Sequence, residues 1–185
     1  MKNKLIAGLL LLALVQIYVP LSMIIKREIV LKHGEQFKFR TAPVDPFDAF
    51  RGRYVALRVE GDYVTKQGSQ DFEKGRSVYA TIEVDAQGFA RFNSITLSKP
   101  IGRVYINAKT SYPSGGKVYL ELPFDRYYME EKAAPAAEAA YRKHSQRGKQ
   151  DAYIVVRVKD GFAIIEGLYV GGQRIEDVVK QEIER

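Results

Sequence analysis

The sequence contains no cysteine. Without thiol groups the chain forms no disulfide, carries no thiolate nucleophile and has no cysteine ligand for a metal ion. The same absence excludes a lipid anchor attached through a cysteine. The histidines His33 and His144 lie far apart and lack neighbouring ligand residues, so no zinc site is expected. We therefore expect the protein to use no metal or other cofactor.

Patterns typical of nucleotide-binding and nucleic-acid-binding proteins are also missing. No glycine-rich phosphate loop is present, since the paired glycines of "SGGK" and "YVGGQR" fit hairpin turns. The net charge is +7, but residues 1–33 carry five basic residues and one acid, so more than half of it lies there. In the rest of the chain acids and bases are interspersed as on a solvated surface, without a basic stripe. We expect no nucleic-acid partner.

The longest uncharged stretch runs from Leu5 to Ile25. As a helix it would extend about 31 Å, close to the roughly 30 Å hydrocarbon core of a bilayer. We predict an N-terminal transmembrane anchor at residues 1–26, followed by one domain at residues 27–185. Two alternatives are a cleaved signal peptide and a helix buried in the core. For a signal peptide the apolar run is long, and "SMIIKRE" is a poor cleavage site.

Basic residues flank this apolar run on both sides, so the positive-inside rule is nearly balanced. A short N-terminal tail before a single span usually stays in the cytoplasm. We therefore expect residues 5–25 to lie in the lipid bilayer of a bacterial cytoplasmic membrane, with the domain outside the cytoplasm.

The remainder of the chain shows the short alternating segments and turn residues of β-structure. Three hairpins are predicted, at Asp85–Gly88, at "YPSGG" and at Asp160-Gly161. The segment "EIVLKHGEQFKFRTA" predicts two short strands around His33-Gly34. "RYVALRVE" predicts a strand, and the polar, glycine-punctuated residues 62–77 predict a loop.

One alanine-rich segment, "EEKAAPAAEAAYRKHSQRGK", predicts a helix with Pro135 in its first turn. The tail "QRIEDVVKQEIER" is amphipathic and compatible with a helix. Together these elements predict a mainly β fold, an antiparallel sandwich or barrel-like sheet with one inserted helix, preceded by a single N-terminal transmembrane helix.

The stretch "DPFDAFRGRYVALRVE" concentrates charge at the entry to a strand. Asp45 and Asp48 are three residues apart, which places both carboxylates on the same side of a helical turn. Such a pair can serve acid–base chemistry. Alternatively, Asp45 caps a turn that begins at Pro46, and Asp48 pairs with Arg51. Gly52 then permits a close backbone approach or a turn into the strand.

A second charged and aromatic cluster, "FDRYYMEE", lies where a strand gives way to the predicted helix. Its arginine, Arg126, can bind an anionic ligand or pair with an acid inside the fold. We predict that the two clusters converge, the first contributing Asp48, Arg51 and Tyr54. The second contributes Arg126, Tyr127 and Glu131.

The two clusters resemble the motifs of the bacterial GDYXXLXY proteins. The first family motif runs roughly Pro-x-Asp-Pro-Arg-Asp-x-x-Arg-Gly-Asp-Tyr-x-x-Leu-x-Tyr. The matching residues here are Pro43, Asp45, Pro46, Asp48, Arg51, Gly52, Tyr54 and Leu57. The second motif, roughly Arg-Tyr-Phe-x-x-Glu-Gly, is similar to the segment that contains Arg126, Tyr127, Tyr128 and Glu131.

Apart from Tyr128, which stands in place of phenylalanine, the chain departs from these motifs at four positions. Phe47 replaces an arginine, Arg53 replaces the aspartate of GDY, Val59 replaces the final tyrosine and Lys132 replaces the glycine. The resemblance implies a membrane-tethered domain that acts beside a multi-spanning membrane protein, and it implies no particular reaction.

Two functional hypotheses follow. The first is a membrane-anchored binding or assembly module that works with an integral-membrane partner. The second is a carboxylate-dependent hydrolase or lyase that uses Asp48 and Glu131. We favour the first, since replacing an acid by Arg53 within the motif suits a charge-paired structure better than an essential catalytic acid.

Overall fold

The computed structural model describes residues 2–42, 54–66, 72–130, 132–145 and 151–183. The first helix is α1 (Lys2–His33), and the strands that follow are β1 (Glu35–Ala42), β2 (Tyr54–Ala56), β3 (Arg58–Val59), β4 (Tyr63–Thr65), β5 (Ser77–Val84), β6 (Ala90–Thr96), β7 (Tyr105–Ser114), β8 (Lys117–Glu121) and β9 (Arg126–Tyr128). The chain continues with α2 (Ala134–Ser145), β10 (Ala152–Lys159), β11 (Phe162–Val170), β12 (Gln173–Arg174) and α3 (Ile175–Ile183).

The N-terminal helix α1 is long and apolar enough to cross a membrane over Gly8–His33, with a mean hydropathy of 2.3 in its most apolar window. No residue of that window is buried, so the apolar run of α1 does not form part of the protein core. The helix also passes through residue 26, where the sequence predicts the domain boundary.

The prediction of a strand before Gly34 is wrong, because α1 continues as far as His33. Each further residue of an established helix gains one backbone hydrogen bond, and no glycine or proline interrupts the chain between Pro20 and Gly34. A Glu28–Lys32 ion pair of 3.0 Å, four residues apart, supports the last turns. The amide of Gly34 then donates to the Val30 carbonyl at 2.8 Å and closes the helix.

The strands form two five-stranded sheets and one two-stranded sheet in the described residues. The first sheet has the order β12-β11-β10-β1-β3, and the second has the order β4-β8-β7-β5-β6. We call the pair β2–β9 the motif sheet, because its strands carry parts of the two motifs. All paired strands are antiparallel. The β-rich antiparallel fold predicted from the sequence is thus confirmed.

The three predicted hairpins are present as β5–β6, β7–β8 and β10–β11. In the first of them, the Asp85 carboxylate accepts hydrogen bonds from the amides of Gln87 at 2.9 Å and Phe89 at 2.8 Å. Gly88 supplies the positive φ, 82°, that completes the turn. The inserted helix is confirmed as α2, with Pro135 in its first turn, and the tail forms α3.

The expected loop at residues 62–77 contains a short strand, β4. Tyr63 of β4 pairs with Tyr119 of β8, and their ring centroids are 5.6 Å apart. Cross-strand aromatic contacts of this kind stabilise a pair of strands, and they depend on a partner far away in the sequence. The polarity of the surrounding residues therefore concealed the strand.

The hydrophobic core lies between the sheets. Phe39 of β1 is completely buried, stacks on Phe92 of β6 at 5.5 Å and lies 6.0 Å from the ring of Phe124. These rings connect the first sheet, the second sheet and the segment that leads into the motif sheet. The motif sheet is consequently held in place by the same core that joins the larger sheets.

Candidate functional site

The motif sheet brings the two sequence motifs together. Tyr54 lies opposite Tyr128, Val55 opposite Tyr127 and the residue after Val55 opposite Arg126. The pairing continues one step further, since the amide of Leu57 donates to the carbonyl of Asp125 at 2.8 Å. Of the residues predicted to converge, the structure therefore places Tyr54, Arg126 and Tyr127 on two paired strands, with Tyr127 on the face opposite the other two.

The remaining candidate residues lie outside the described part of the chain. They are Asp45, Pro46, Asp48, Arg51, Gly52 and Glu131. The predicted carboxylate pair, Asp48 with Glu131, and the predicted ion pair of Asp48 with Arg51 therefore remain predictions.

The outer face of the motif sheet is aromatic and cationic. The rings of Tyr54 and Tyr128 are 5.7 Å apart, and the guanidinium carbon of Arg126 lies 5.0 Å from the centroid of Tyr54. Arg126 also lies 3.6 Å from the carboxylate of Asp125. The Tyr128 hydroxyl, followed by the charge of Asp125, raises the pKa of Arg126 further above its ordinary value. Arg126 is thus a permanent cation held beside two tyrosine rings.

The inner face of the motif sheet is apolar apart from one hydroxyl group. Val55 and Leu57 are buried, as the alternation of "RYVALRVE" predicts. Val59, which stands where the family motif has its final tyrosine, follows in β3 of the first sheet and is 3% exposed. A tyrosine ring at that position would therefore point into the core.

Tyr127 carries the polar group of this inner face, and it is 8% exposed. Its hydroxyl donates a hydrogen bond to Oε1 of Glu176, in the first turn of α3. Arg174 Nε lies 3.4 Å from Oε2 of Glu176, within ion-pair distance. That contact is not a hydrogen bond. Glu176 Oε2 is therefore a buried atom without a hydrogen-bond partner among the described residues.

The sequence motifs did not reveal the partners of Tyr127. Arg174 and Glu176 lie in the amphipathic tail, about fifty residues further along the chain, and only their charge distinguished them. Arg174 lies in β12, which pairs with β11, and Glu176 lies in the first turn of α3, where it accepts the hydrogen bond from Tyr127 of β9. Only the tertiary structure shows that this tail contacts the second motif.

A Tyr127→Phe variant is expected to lose a tyrosine that ionises late in an alkaline titration. Burial, and then the hydrogen bond to Glu176, raises the pKa of Tyr127 to about 12. The folded state favours the neutral phenol of Tyr127. The stability that this preference contributes is complete below about pH 10, the ordinary pKa of a tyrosine in the unfolded chain. The contribution is lost as the pH rises through about 12. Tyrosinate absorbance of the full chain measures this ionisation.

The matched control for this titration is Glu176→Gln. It removes the negative charge but keeps a hydrogen-bond acceptor, so the pKa of Tyr127 should fall without returning to its ordinary value. Identical alkaline titration curves for the wild-type chain and Tyr127→Phe would contradict the proposed environment of Tyr127.

A cavity of about 340 Å³ opens between the end of α1, the motif sheet and β11. Arg27 contributes from α1, two residues beyond the last residue of the uncharged run. Arg126 and Tyr128 contribute from β9, and Ala163 and Ile165 from β11. The second motif therefore faces the same space as the end of the apolar helix.

The end of α1 is packed against the domain at this place. Val30 is 3% exposed, and the ammonium group of Lys26 lies 3.2 Å from the centroid of the Phe162 ring, at the start of β11. The close contact of a cation with an aromatic face is attractive and directional. These contacts hold the end of the apolar helix against the domain beside the cavity.

The described residues contain no group of three or more His, Asp or Glu side chains that could hold a metal ion. His144 Nδ1 lies 2.8 Å from Asp151 Oδ1. His33 lines a separate cavity near Glu35 and Asp160.

The model of the GDYXXLXY protein family matches residues 16–168. The chain belongs to the GDYXXLXY family. No curated protein and no solved structure matches the chain. The GDYXXLXY match begins inside α1 and ends inside β11, so it includes the motif sheet and most of both five-stranded sheets. Arg174 and Glu176 follow the matched range, so the charged neighbours of Tyr127 come from a part of this chain beyond the GDYXXLXY match.

Proposed function

We propose that this GDYXXLXY protein is a membrane-anchored binding module that docks an integral-membrane protein through the outer face of its motif sheet. The observation that carries the proposal is the shared cavity of Arg27 and Arg126. It places the exposed motif residues beside the end of the apolar helix, where a membrane partner is within reach.

The anchor is α1. Its uncharged run from Leu5 to Ile25 is long enough to span the hydrocarbon core, and its apolar window is exposed. Arg27 lies two residues past Ile25, which is about 3 Å along a helix axis. The cavity and the outer face of the motif sheet therefore belong at the membrane surface.

We place the domain outside the cytoplasm, on a bacterial cytoplasmic membrane. The N-terminal tail before the apolar run is short, and a short tail before a single span usually stays in the cytoplasm. In this orientation the motif sheet faces the extracytoplasmic loops or helix ends of a membrane-spanning neighbour.

The chemistry of the outer face suits protein recognition. Tyrosine and arginine dominate the binding energy of many protein interfaces, because they combine large contact areas with directed polar groups. Tyr128 is 66% exposed, and the side chain of Arg126 is 47% exposed. A complementary partner offers an acidic group for Arg126 and an apolar surface for the two tyrosine rings.

The first test is purification from native membranes in mild detergent through a C-terminal tag, with mass spectrometry of the co-purified proteins. We expect a stoichiometric integral-membrane protein with the wild-type chain. Arg126→Ala should weaken its retention about thirtyfold, since truncation of a hot-spot residue costs about 2 kcal/mol or more.

The matched control is Arg91→Ala on β6. Arg91 forms an ion pair of 3.6 Å with Glu83, and its side chain is 62% exposed. The Arg126–Asp125 pair has the same distance, 3.6 Å, and Arg91 is not among the residues that line the cavity. Arg91→Ala should retain the partner. A wild-type chain that purifies alone, or equal retention by both variants, would refute docking through the motif sheet.

A further inference from the structure

We propose that the cavity between Arg27, the motif sheet and β11 binds the headgroup phosphate of an anionic phospholipid. This inference rests on the membrane anchoring of the proposed function, but it is independent of the protein partner. The occupant is a lipid of the surrounding bilayer, held by the two guanidinium groups that line the cavity.

The depth of the cavity argues for a lipid headgroup. Arg27 follows the uncharged run by two residues, which places its guanidinium in the interfacial layer when α1 spans the bilayer. Basic residues at this depth attract anionic lipids. Tyrosine is also enriched at the interface, where its ring is apolar and its hydroxyl is hydrated, and Tyr128 is 66% exposed at the cavity.

The charges in the cavity are incompletely compensated by the described residues. Arg27 forms no ion pair with any of them. Arg126 is 3.6 Å from Asp125, which is longer than the roughly 2.7–2.9 Å of a strong charge-assisted hydrogen bond. Asp125 is itself 70% exposed and therefore well hydrated. Two arginines that share one cavity with a single weakly paired acid favour a second anion.

The other cations at the end of α1 are engaged elsewhere. Lys26 lies over the ring of Phe162 at 3.2 Å, and Lys32 pairs with Glu28 at 3.0 Å. The contact of Lys26 also fixes the helix end against β11. Among these basic residues, Arg27 lines the cavity, whereas Lys26 and Lys32 are held by other groups.

The remaining walls suit the start of a lipid. Ala163, Ile164 and Ile165 provide an apolar side, and Tyr128 brings a hydroxyl group that can donate to a phosphate oxygen. The volume of about 340 Å³ is at the lower end of the range for small-ligand sites, about 300–1,000 Å³. A phosphoglycerol headgroup is a small ligand that suits a cavity of this size. The acyl chains of the lipid remain in the bilayer beside α1.

The test measures lipid retention by the full-length protein. The chain is purified in mild detergent, incubated with phosphatidylglycerol or phosphatidylcholine at equal concentration, and examined by native mass spectrometry. We expect one phosphatidylglycerol to be retained at least tenfold better than phosphatidylcholine. Arg27→Gln and Arg126→Gln should each reduce this retention at least tenfold. Arg91→Gln, at an exposed residue that does not line the cavity, should leave it unchanged.

Several results would overturn the lipid site. They are equal retention of the two lipids, unchanged retention by the Arg27→Gln/Arg126→Gln double variant, and displacement of the lipid by millimolar inorganic phosphate, which would indicate a site for free anions. Displacement of the lipid by the co-purified membrane protein would assign the cavity to a polypeptide.

The same preparations report on the proposed function separately. Retained lipid without a protein partner would support the lipid site and remove the docking proposal. A partner lost in Arg126→Ala, with lipid retention unaffected by either arginine variant, would support docking and remove the lipid site.

Discussion

Replacing Phe39 with alanine is expected to lower the free energy of unfolding by about 3–5 kcal/mol. The side chain is fully buried and contacts the rings of Phe92 and Phe124, at 5.5 and 6.0 Å between centroids. Its removal leaves a cavity between the two five-stranded sheets, and the rigid strands on either side can close it only in part. Because Phe124 leads into β9, the loss also loosens the motif sheet.

Denaturation of the full chain by urea in detergent micelles measures this loss. The protein contains no tryptophan and twelve tyrosines, so tyrosine fluorescence and circular dichroism follow unfolding. Phe162→Ala is the control, because Phe162 is 42% exposed and its main specific contact is Lys26. This variant should cost about 1 kcal/mol. If Phe39→Ala cost no more than the control, the central position of Phe39 in the core would be wrong.

Replacing Gly161 with alanine is expected to cost about 2–4 kcal/mol. Gly161 has a φ of +80°, and an added Cβ would lie 2.5 Å from Asn107 Oδ1 and 2.6 Å from Cε2 of Tyr105. The exposed Asn107 can rotate away. Tyr105 is 7% exposed and packs edge-on against Tyr79 at 5.3 Å, so its ring has little freedom to move. The positive φ costs about 1 kcal/mol, and overpacking adds about 1–3 kcal/mol.

The position of Gly161 makes this clash important for the whole domain. Its carbonyl accepts a hydrogen bond from the Asn107 amide at 2.9 Å, and it forms a bridge with Ile106. The turn of the β10–β11 hairpin is thereby attached to β7, and the first sheet to the second. A larger side chain at Gly161 therefore strains the junction between the sheets as well as the turn itself.

Gly172→Ala separates the two contributions. Gly172 has the same φ, +80°, but an added Cβ meets nothing within 4 Å. This variant should cost only the strain of the positive φ, about 1 kcal/mol. The difference between the two losses in free energy of unfolding, measured in the same denaturation experiment, is the cost of the clash with Asn107 and Tyr105. Equal losses would show that the β10–β11 turn does not pack tightly on β7.

The features predicted correctly from the sequence depend on neighbouring residues. Asp85 and Gly88 define a turn through bonds within five residues, and the alternation of Val55, Leu57 and Val59 requires only that one strand face be buried. Pro135 marks the start of α2 for a similarly local reason.

Predictions failed where distant contacts competed with local pattern. The residues before Gly34 alternate as a strand does, but they continue α1. Each residue added to an established helix gains a backbone hydrogen bond, and the helix end also packs on the domain, where Lys26 lies over Phe162 and Val30 is buried. β4 was concealed in a polar segment because its stabilising partner, Tyr119, lies in β8.

The sequence by itself determined the long apolar helix, the antiparallel hairpins, the inserted helix and the resemblance to the GDYXXLXY family. Each depends on residue types and spacings within a single segment of the chain. Only the tertiary structure decided that Tyr127 is buried against Glu176 and that Arg126 shares a cavity with Arg27. Such contacts join segments separated by tens of residues, and they form because closing the core fixes which distant surfaces meet.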